Sequence, residues 1–153
     1  LPDKLLQKLR GARNFQSGMQ MVRQLEFALF DFRLHASTTL ISADAILRIL
    51  NDVRQQVAVV TPPPFDRFPH AFSHIFAGGY AAGYYGYLWS EVLSADAYNR
   101  FEQEGVFSAT AGREFLQHVL ETGGVEDPLD VFRAFRGREP SINAFLRHSG
   151  LNV

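Results

Sequence analysis

The sequence has the length of one ordinary globular domain, 153 residues, of which 46% are hydrophobic, so it can bury a sizeable core. It contains no cysteine, which excludes disulfides, thiol catalysis and cysteine-ligated zinc. The net charge of −1 gives no electrostatic basis for binding nucleic acid, and no apolar run reaches the roughly 18–20 residues that a membrane span needs.

The N-terminal residues predict a short first helix. The sequence starts at Leu1 rather than at a methionine, so we expect that it was processed or cut out of a longer product. Leu5, Leu6 and Leu9 follow at helical spacing. Gly11 is a residue type that ends helices, and we predict the end of this helix there.

The longest apolar pattern spans residues 15–35 and predicts a helix that is buried on most of its sides. Asn14 is a suitable residue to cap its first turn. Several charged residues nevertheless lie inside the pattern: Arg23, Glu26, Asp31 and Arg33. Because buried charges must be paired, we expect ion pairs here or contact with a partner surface outside this chain.

A proline tract separates the third helix from the rest of the chain. Ser42 or Asp44 caps that helix. The Thr-Pro-Pro-Pro tract at residues 61–64 can neither continue a helix nor pair as a central strand. We interpret it as an ordered functional loop rather than a domain linker, because Phe65 and Phe68 are too apolar to be left in solvent.

The remaining sequence predicts further helices separated by breaks that contain glycine or proline. They span approximately residues 80–103, 110–121, 127–137 and 140–150. Since every predicted element is helical, the sequence predicts an all-α fold, and we expect residues 1–153 to form a single helical domain with one proline-rich loop.

Residues 78–87 carry four glycines and four tyrosines. Each glycine inside a helix costs about 0.8–1 kcal/mol relative to alanine, so this density of glycine indicates close backbone approach or a special backbone conformation. Gly78 and Gly79 stand directly before a predicted helix. They predict a hinge or loop, here called the Gly-Gly loop, whose free backbone groups can pair with an extended peptide.

Three of the tyrosines have helical spacing. Tyr80, Tyr84 and Tyr87 are related as i, i+4 and i+7, which places them on one face of the predicted helix, with a row of hydroxyls about 10 Å long, while Tyr85 points away. Such a row suits hydrogen bonding to a peptide backbone or a developing oxyanion. An aromatic stripe at this spacing is also typical of a packed core, and the residues alone leave both interpretations open.

Two histidines precede the Gly-Gly loop. His70 and His74 are four residues apart, the spacing of zinc ligands on a metalloprotease helix. The residue after His70 is Ala71, where that helix carries its glutamate general base, and Pro69 interrupts regular helix geometry. The sequence therefore disfavours a zinc site made by this pair.

Residues 68–89 resemble the C-terminal substrate-binding segment of the thimet-oligopeptidase family of zinc metallopeptidases. Residues 23–35 and 135–140 also match the bacterial branch of that family, and the resemblance covers essentially the whole chain. It implies the C-terminal part of an all-helical, zincin-like catalytic region that hydrolyses short peptides in a deep channel. It also implies zinc in the full-length enzyme, held by a His-Glu-x-x-His helix and a downstream glutamate, a motif that this chain lacks.

The resemblance assigns substrate handling to the tyrosine-rich segment. Tyr87 matches the tyrosine whose hydroxyl stabilises the tetrahedral oxyanion. Tyr80 and Tyr84 match tyrosines that contact or position the peptide, and the Gly-Gly loop, Gly78 and Gly79, matches a flexible loop beside the substrate. His74 corresponds to a histidine implicated in substrate and transition-state contacts.

By the same resemblance, the expected partners are short peptides and the missing N-terminal part of a cytoplasmic enzyme, with no nucleic acid and no membrane. We expect the isolated chain to be inactive and to associate through exposed helix faces. The alternative hypothesis is a non-catalytic helical module that uses the glycine–tyrosine segment to bind peptides or to oligomerise. What precedes Leu1 in the coding sequence separates the two hypotheses.

Overall fold

The computed structural model describes residues 1–38 and 41–151, and the regular structure in these residues is helical throughout, which confirms the all-α prediction. The α-helices are α1 (Asp3–Arg13), α2 (Ser17–His35), α3 (Ala43–Val57), α4 (Phe68–Ala71), α5 (Ser73–Phe76), α6 (Gly86–Glu104), α7 (Ala109–Phe115), α8 (Pro128–Arg136) and α9 (Asn143–His148). A π-helical turn, Leu116–Leu120, continues α7. Within the described residues, no helix combines the length and apolarity that crossing a bilayer requires.

The chain divides into two compact units, Leu1–Leu88 and Trp89–Val153. The first unit includes residues 86–88, the first three of α6. Each unit contains fully buried side chains of its own. The expectation that residues 1–153 form a single domain remains a prediction.

The core of the first unit is built by α2, α3 and the two short helices after the proline loop. Its buried members are Phe30, Leu34, Leu50, Phe72 and Ile75. Phe68 stacks on Phe27 of α2 with ring centroids 4.7 Å apart. These contacts fix α4 and α5 against α2. Helix α5 leads directly into the glycine–tyrosine segment, residues 78–87.

The two buried carboxylates inside α2, Glu26 and Asp31, are paired, as the sequence predicts. Glu26 accepts a hydrogen bond from Nε of Arg54 at 2.9 Å, and Arg54 also donates to Asp66 at 2.7 Å. Burial lowers the pKa of Arg54, but hydrogen bonds and charge from Glu26 and Asp66 outweigh it and raise that pKa above its usual value. Asp31 is fully buried and lies 2.8 Å from Nδ1 of His35.

The proline loop is anchored, but the prediction for one of its two phenylalanines is wrong. The Asp66 amide donates to the Pro63 carbonyl at 2.9 Å, which closes a tight turn. Phe68 packs on phenylalanines of the core, as predicted. Phe65 is 77% exposed, because it sits at the tip of that turn, where none of the described elements covers it.

Side chains cap three helix starts, and the cap predicted at Ser42 is confirmed. Side chains of Ser42, Ser108 and Asp127 accept backbone N–H bonds from the first turns of α3, α7 and α8. The end of α8 is also as predicted, because Gly137 adopts a left-handed φ of 72° there.

Two predicted boundaries near the N-terminus are wrong. Helix α1 continues through Gly11 to Arg13, since one helical glycine costs only about 0.8–1 kcal/mol relative to alanine and does not by itself end a helix. Asn14 does not cap α2. Gln16 precedes that helix with a left-handed φ of 55°, and the helix begins at Ser17 without a side-chain cap.

Three later boundaries also differ from the prediction. The helix predicted from residue 80 begins at Gly86. The helix predicted over residues 110–121 is α7 followed by the π-helical turn. The last helix begins at Asn143 rather than at Pro140, because the Ser141 amide donates to the buried carboxylate of Asp96 instead of joining a helix.

Candidate functional site

The segment from α5 to the start of α6 brings four of the predicted site residues together. They are His74, Tyr80, Tyr84 and Tyr87, here called the tyrosine–histidine cluster. The Tyr87 ring lies 5.0 Å from that of Tyr80 and 5.1 Å from that of Tyr84, centroid to centroid. The His74 ring lies 6.0 Å from Tyr84 and 6.3 Å from Tyr80. These four rings therefore form one contiguous surface of the first unit.

This cluster is not a stripe on one helical face, so that part of the prediction is wrong. Only Tyr87 lies in α6. Tyr84 lies in the turn that precedes the helix, residues 81–85, and Tyr80 stands directly before that turn. The amide of Gly83 donates to the Tyr80 carbonyl at 2.8 Å, and Ala82 has a left-handed φ of 55°. The rings meet because the turn folds back, rather than because of i, i+4 spacing.

The Gly-Gly loop has a steric explanation. A Cβ at Gly78 would lie 2.8 Å from the carbonyl oxygen of His74, and Gly79 has a left-handed φ of 81°. The Gly78 amide donates to the Ser73 carbonyl at 3.0 Å, so the predicted free amide is wrong at this residue. The Tyr80 amide donates to the His74 carbonyl at 3.1 Å, which closes the loop and holds these two residues side by side.

The three hydroxyls of the cluster have different surroundings. Tyr84 is half-buried and donates to Oε1 of Gln24 at 3.1 Å, and its burial raises its pKa. Tyr80 and Tyr87 are 39% and 42% exposed. A hydrogen bond between these two raises the pKa of Tyr87, and desolvation and the charges of Tyr80 and Tyr84 add to the effect. The Tyr87 hydroxyl is protonated throughout the neutral range, as it already would be at the ordinary tyrosine pKa of about 10.

A buried carboxylate beneath the turn is a site residue that the sequence did not identify. Asp31 accepts the Ala82 amide on Oδ1 and the Tyr84 amide on Oδ2, each at 2.9 Å. It is seven residues from Gln24, so the partners of the Tyr84 amide and hydroxyl lie on the same face of α2. A charge inside an apolar pattern predicted a paired Asp31 but could not identify a partner more than 50 residues away.

The two histidines do not form a metal site with the side chains around them. His70 lies in α4 and His74 in α5, and the break at Phe72 separates the two helices. Within residues 1–38 and 41–151, no three His, Cys, Asp or Glu side chains are grouped so that they could hold a metal ion. The described residues therefore do not fit a zinc site.

Among the described residues, each unit has a cavity whose lining includes no residue of the cluster. One, of about 690 Å³, is formed in the second unit by mainly apolar side chains of α6, α7, α8 and the π-helical turn. The other, of about 390 Å³, lies beside the proline loop in the first unit and is lined in part by Arg54 and Asp66. No residue of the tyrosine–histidine cluster lines either cavity, so neither cavity is part of the predicted site.

Comparison with known proteins connects this geometry to a family. The model of peptidase family M3 matches residues 1–151. Over 151 residues the chain is 55% identical to Oligopeptidase A of Salmonella typhimurium and 54% identical to that of Escherichia coli, covering 99% of this chain and 22% of each relative. It is 38% identical to dipeptidyl carboxypeptidase of Escherichia coli over 159 residues, covering 100% of this chain and 23% of the relative. The chain thus spans about a fifth of the length of these curated relatives.

Proposed function

This chain belongs to peptidase family M3, and we propose that it is the substrate-binding and oxyanion-stabilising portion of a longer zinc metallo-oligopeptidase that hydrolyses short peptides. The observation that carries the proposal is the exposed pair of phenols, Tyr80 and Tyr87, whose rings stack with centroids 5.0 Å apart beside the folded turn. The names of the relatives, which are those of peptidases, support the same reaction class.

Tyr87 is the proposed oxyanion donor. When water adds to a peptide carbonyl, the carbonyl oxygen gains negative charge, and a preplaced donor binds that oxygen more strongly in the transition state than in the substrate. The Tyr87 phenol is neutral near pH 7, so it has a proton to donate. Its neighbour Tyr80 orients that hydroxyl through their hydrogen bond and contacts the peptide.

The other predicted residues have proposed roles in holding the peptide. The Tyr84 hydroxyl donates to Gln24, so it offers a substrate an acceptor, while its ring supports Tyr87. His74 is exposed beside Tyr80 and can hydrogen-bond a peptide carbonyl or carboxylate. Gly78 leaves room for this close approach of backbone, and Gly79 presents exposed main-chain groups beside it.

Zinc belongs to the proposal for the full-length enzyme. The metal supplies a water that is reactive near neutral pH. Since the described residues do not fit a zinc site, the proposed ligands lie in other parts of a longer chain. The isolated chain is accordingly proposed to be inactive, its main partner to be the rest of the enzyme, and the enzyme to be cytoplasmic.

Substitution of one hydroxyl tests the oxyanion assignment. In the complete protein, Tyr87→Phe should lower kcat by about 10²–10³, with a much smaller change in KM, because the lost hydrogen bond is made mainly in the transition state. The matched control is Tyr85→Phe. Tyr85 is also exposed in the turn, but its ring packs on Phe32 at 5.4 Å and lies outside the cluster.

A raised KM with unchanged kcat in Tyr87→Phe, or equal losses of kcat in the two variants, contradicts the assignment. The coding frame around the chain gives an independent check. A continuous frame with His-Glu-x-x-His and a following glutamate supports the peptidase, whereas a frame without them favours a non-catalytic peptide-binding module.

A further inference from the structure

We infer that Asp31 is a positioning residue for the reaction, because its carboxylate holds the turn of residues 81–85 and thereby the orientation of the Tyr80 and Tyr87 hydroxyls. The inference rests on the function proposed above. Asp31 touches none of the reacting groups and is fully buried under the turn. It acts through the backbone of Ala82 and Tyr84.

The backbone of the turn depends on this one carboxylate. The amides of Gly83, Gly86 and Tyr87 donate to carbonyl groups within residues 80–84. The amides of Ala82 and Tyr84 instead donate to the two oxygens of Asp31. Both oxygens are used, one for each amide, so the aspartate fixes two points of the turn at once.

The conformation of Ala82 shows why the turn needs such support. Its φ of 55° lies in the left-handed region, which is unfavourable for residues with a Cβ. Such a conformation persists only where the surrounding structure holds it. Asp31 bonds the amide of this very residue, and so stabilises the least favourable point of the turn.

Helix α2 binds both the backbone amide and the side-chain hydroxyl of Tyr84. Asp31 accepts the backbone amide of Tyr84, and Gln24, two helical turns earlier, accepts its hydroxyl. Phe27 lies between them on α2 and contacts the Tyr84 ring edge-on at 6.0 Å. The ring of Tyr87 then rests on Tyr84 at 5.1 Å. A continuous set of contacts therefore runs from the buried carboxylate to the proposed oxyanion donor.

The carboxylate is itself oriented. Nδ1 of His35 lies 2.8 Å from Oδ1 of Asp31, the oxygen that accepts the Ala82 amide. Asp31→Asn is therefore a sharp probe, because it keeps the volume but replaces one acceptor oxygen with an NH₂ donor. Because each oxygen of Asp31 accepts one turn amide, the NH₂ faces a turn amide in either orientation of the side chain, so at least one bond is lost.

The experiment is a double-mutant cycle in the complete protein. We expect Asp31→Asn to lower kcat at least tenfold, with a smaller change in KM, and to have little further effect once Tyr87 is replaced by phenylalanine. Hydrogen exchange of a peptide that covers residues 81–85 should accelerate in Asp31→Asn. Glu26→Gln is the matched control, because Glu26 is buried in the same helix but pairs with Arg54 instead of the turn.

The control should leave exchange in the turn unchanged, and any loss of kcat that it causes should be the same with tyrosine or phenylalanine at position 87. Equal fold-losses of kcat for Asp31→Asn in both backgrounds give Asp31 a merely structural role and overturn the inference, while the oxyanion assignment stands. An unaffected kcat in Tyr87→Phe overturns the proposed function instead, and the exchange data still decide whether Asp31 holds the turn.

The wild-type protein gives a test that needs no variant. Slow exchange of the Ala82 and Tyr84 amides supports the inference, because an exposed turn without a buried acceptor exchanges quickly. Exchange of these two amides as fast as in an unstructured peptide overturns it, even if Asp31→Asn fails to fold.

Discussion

Each of the two units contains a fully buried aspartate, and the two aspartates have different partners. Asp31 of the first unit accepts two backbone amides and lies against a histidine. Asp96 of the second unit pairs with Arg136 and Arg138 and accepts the Ser141 amide. The first binds mainly neutral donors of an exposed turn, and the second binds full charges. The difference indicates that Asp31 serves to place other groups, whereas Asp96 serves cohesion of its unit.

The charges around Asp96 determine its protonation. Burial raises the pKa of the Asp96 carboxyl, but hydrogen bonds from Arg138 and the Ser141 amide, with the charges of Arg138 and Arg136, outweigh burial and hold that pKa below its usual value. The carboxylate therefore stays ionised at neutral pH and joins α6 to α8 and to residues 138–141.

The largest effect on stability is expected from Asp96→Ala. It leaves Arg136, whose side chain is almost fully buried, without its counter-charge and should lower the free energy of unfolding by about 3–5 kcal/mol. Urea denaturation of the chain, followed by circular dichroism, measures the change. Asp130→Ala is the control, since its pair with Arg133 is solvent-exposed and should contribute less than about 1 kcal/mol. Equal losses in the two variants would remove the cohesive role assigned to Asp96.

A smaller loss is expected from Asp31→Ala. It removes the acceptor of two amides and should cost about 2–3 kcal/mol, because the donors are neutral and water can reach the partly exposed turn. The same denaturation experiment compares it with Asp96→Ala. If Asp31→Ala proves the more damaging of the two, the contrast between placement and cohesion is wrong.

Two glycines offer a finer comparison between the units. Gly78→Ala should destabilise the first unit by about 1–2 kcal/mol, because the new Cβ meets the backbone of His74 at 2.8 Å. Gly112→Ala in α7 should stabilise the second unit by about 0.5–1 kcal/mol, since the site is helical and open. Thermal melts of both variants test the pair. A stabilised Gly78→Ala is incompatible with the close approach to His74.

The smallest expected effect appears only in acid. Because the pKa of Asp96 is lower in the folded state, its contribution to stability is complete above its unfolded value of about 3.9 and is lost as the pH falls through the lower folded value. Denaturation midpoints measured between about pH 7 and 2 should therefore fall more steeply for the wild type than for Asp96→Asn. Parallel curves for the two proteins would show that the Asp96 carboxyl titrates alike in both states.

The sequence predicts well what neighbouring residues determine. The starts of α3 and α8 follow from Ser42 and Asp127, each of which bonds an amide two or three residues away. The all-α fold follows from apolar periodicity, and the family resemblance is confirmed by the match over residues 1–151. Such predictions succeed because their physical cause lies within one or two helical turns, or in motifs long enough to be specific.

The sequence fails where a distant residue decides the local conformation. The spacing of Tyr80, Tyr84 and Tyr87 predicts a helix, but Asp31 binds the amides that a helix would use and holds a turn instead. Phe65 was predicted to be covered, yet its exposure depends on which elements surround the proline turn. The proposed roles of the individual tyrosines and of His74 stay predictions.

The distance in sequence between Asp31 and its turn also has a kinetic consequence. The bond to Ala82 closes a loop of 51 residues, and the left-handed alanine gains little from purely local contacts. The turn should therefore form late in folding, after α2 has docked on α3. On the ribosome, α2 and α3 emerge before the tyrosines do. Asp31, the acceptor of the turn amides, is therefore already in place when the turn leaves the exit tunnel. A circular permutant that places α2 after the turn reverses this order of emergence and should slow formation of the turn.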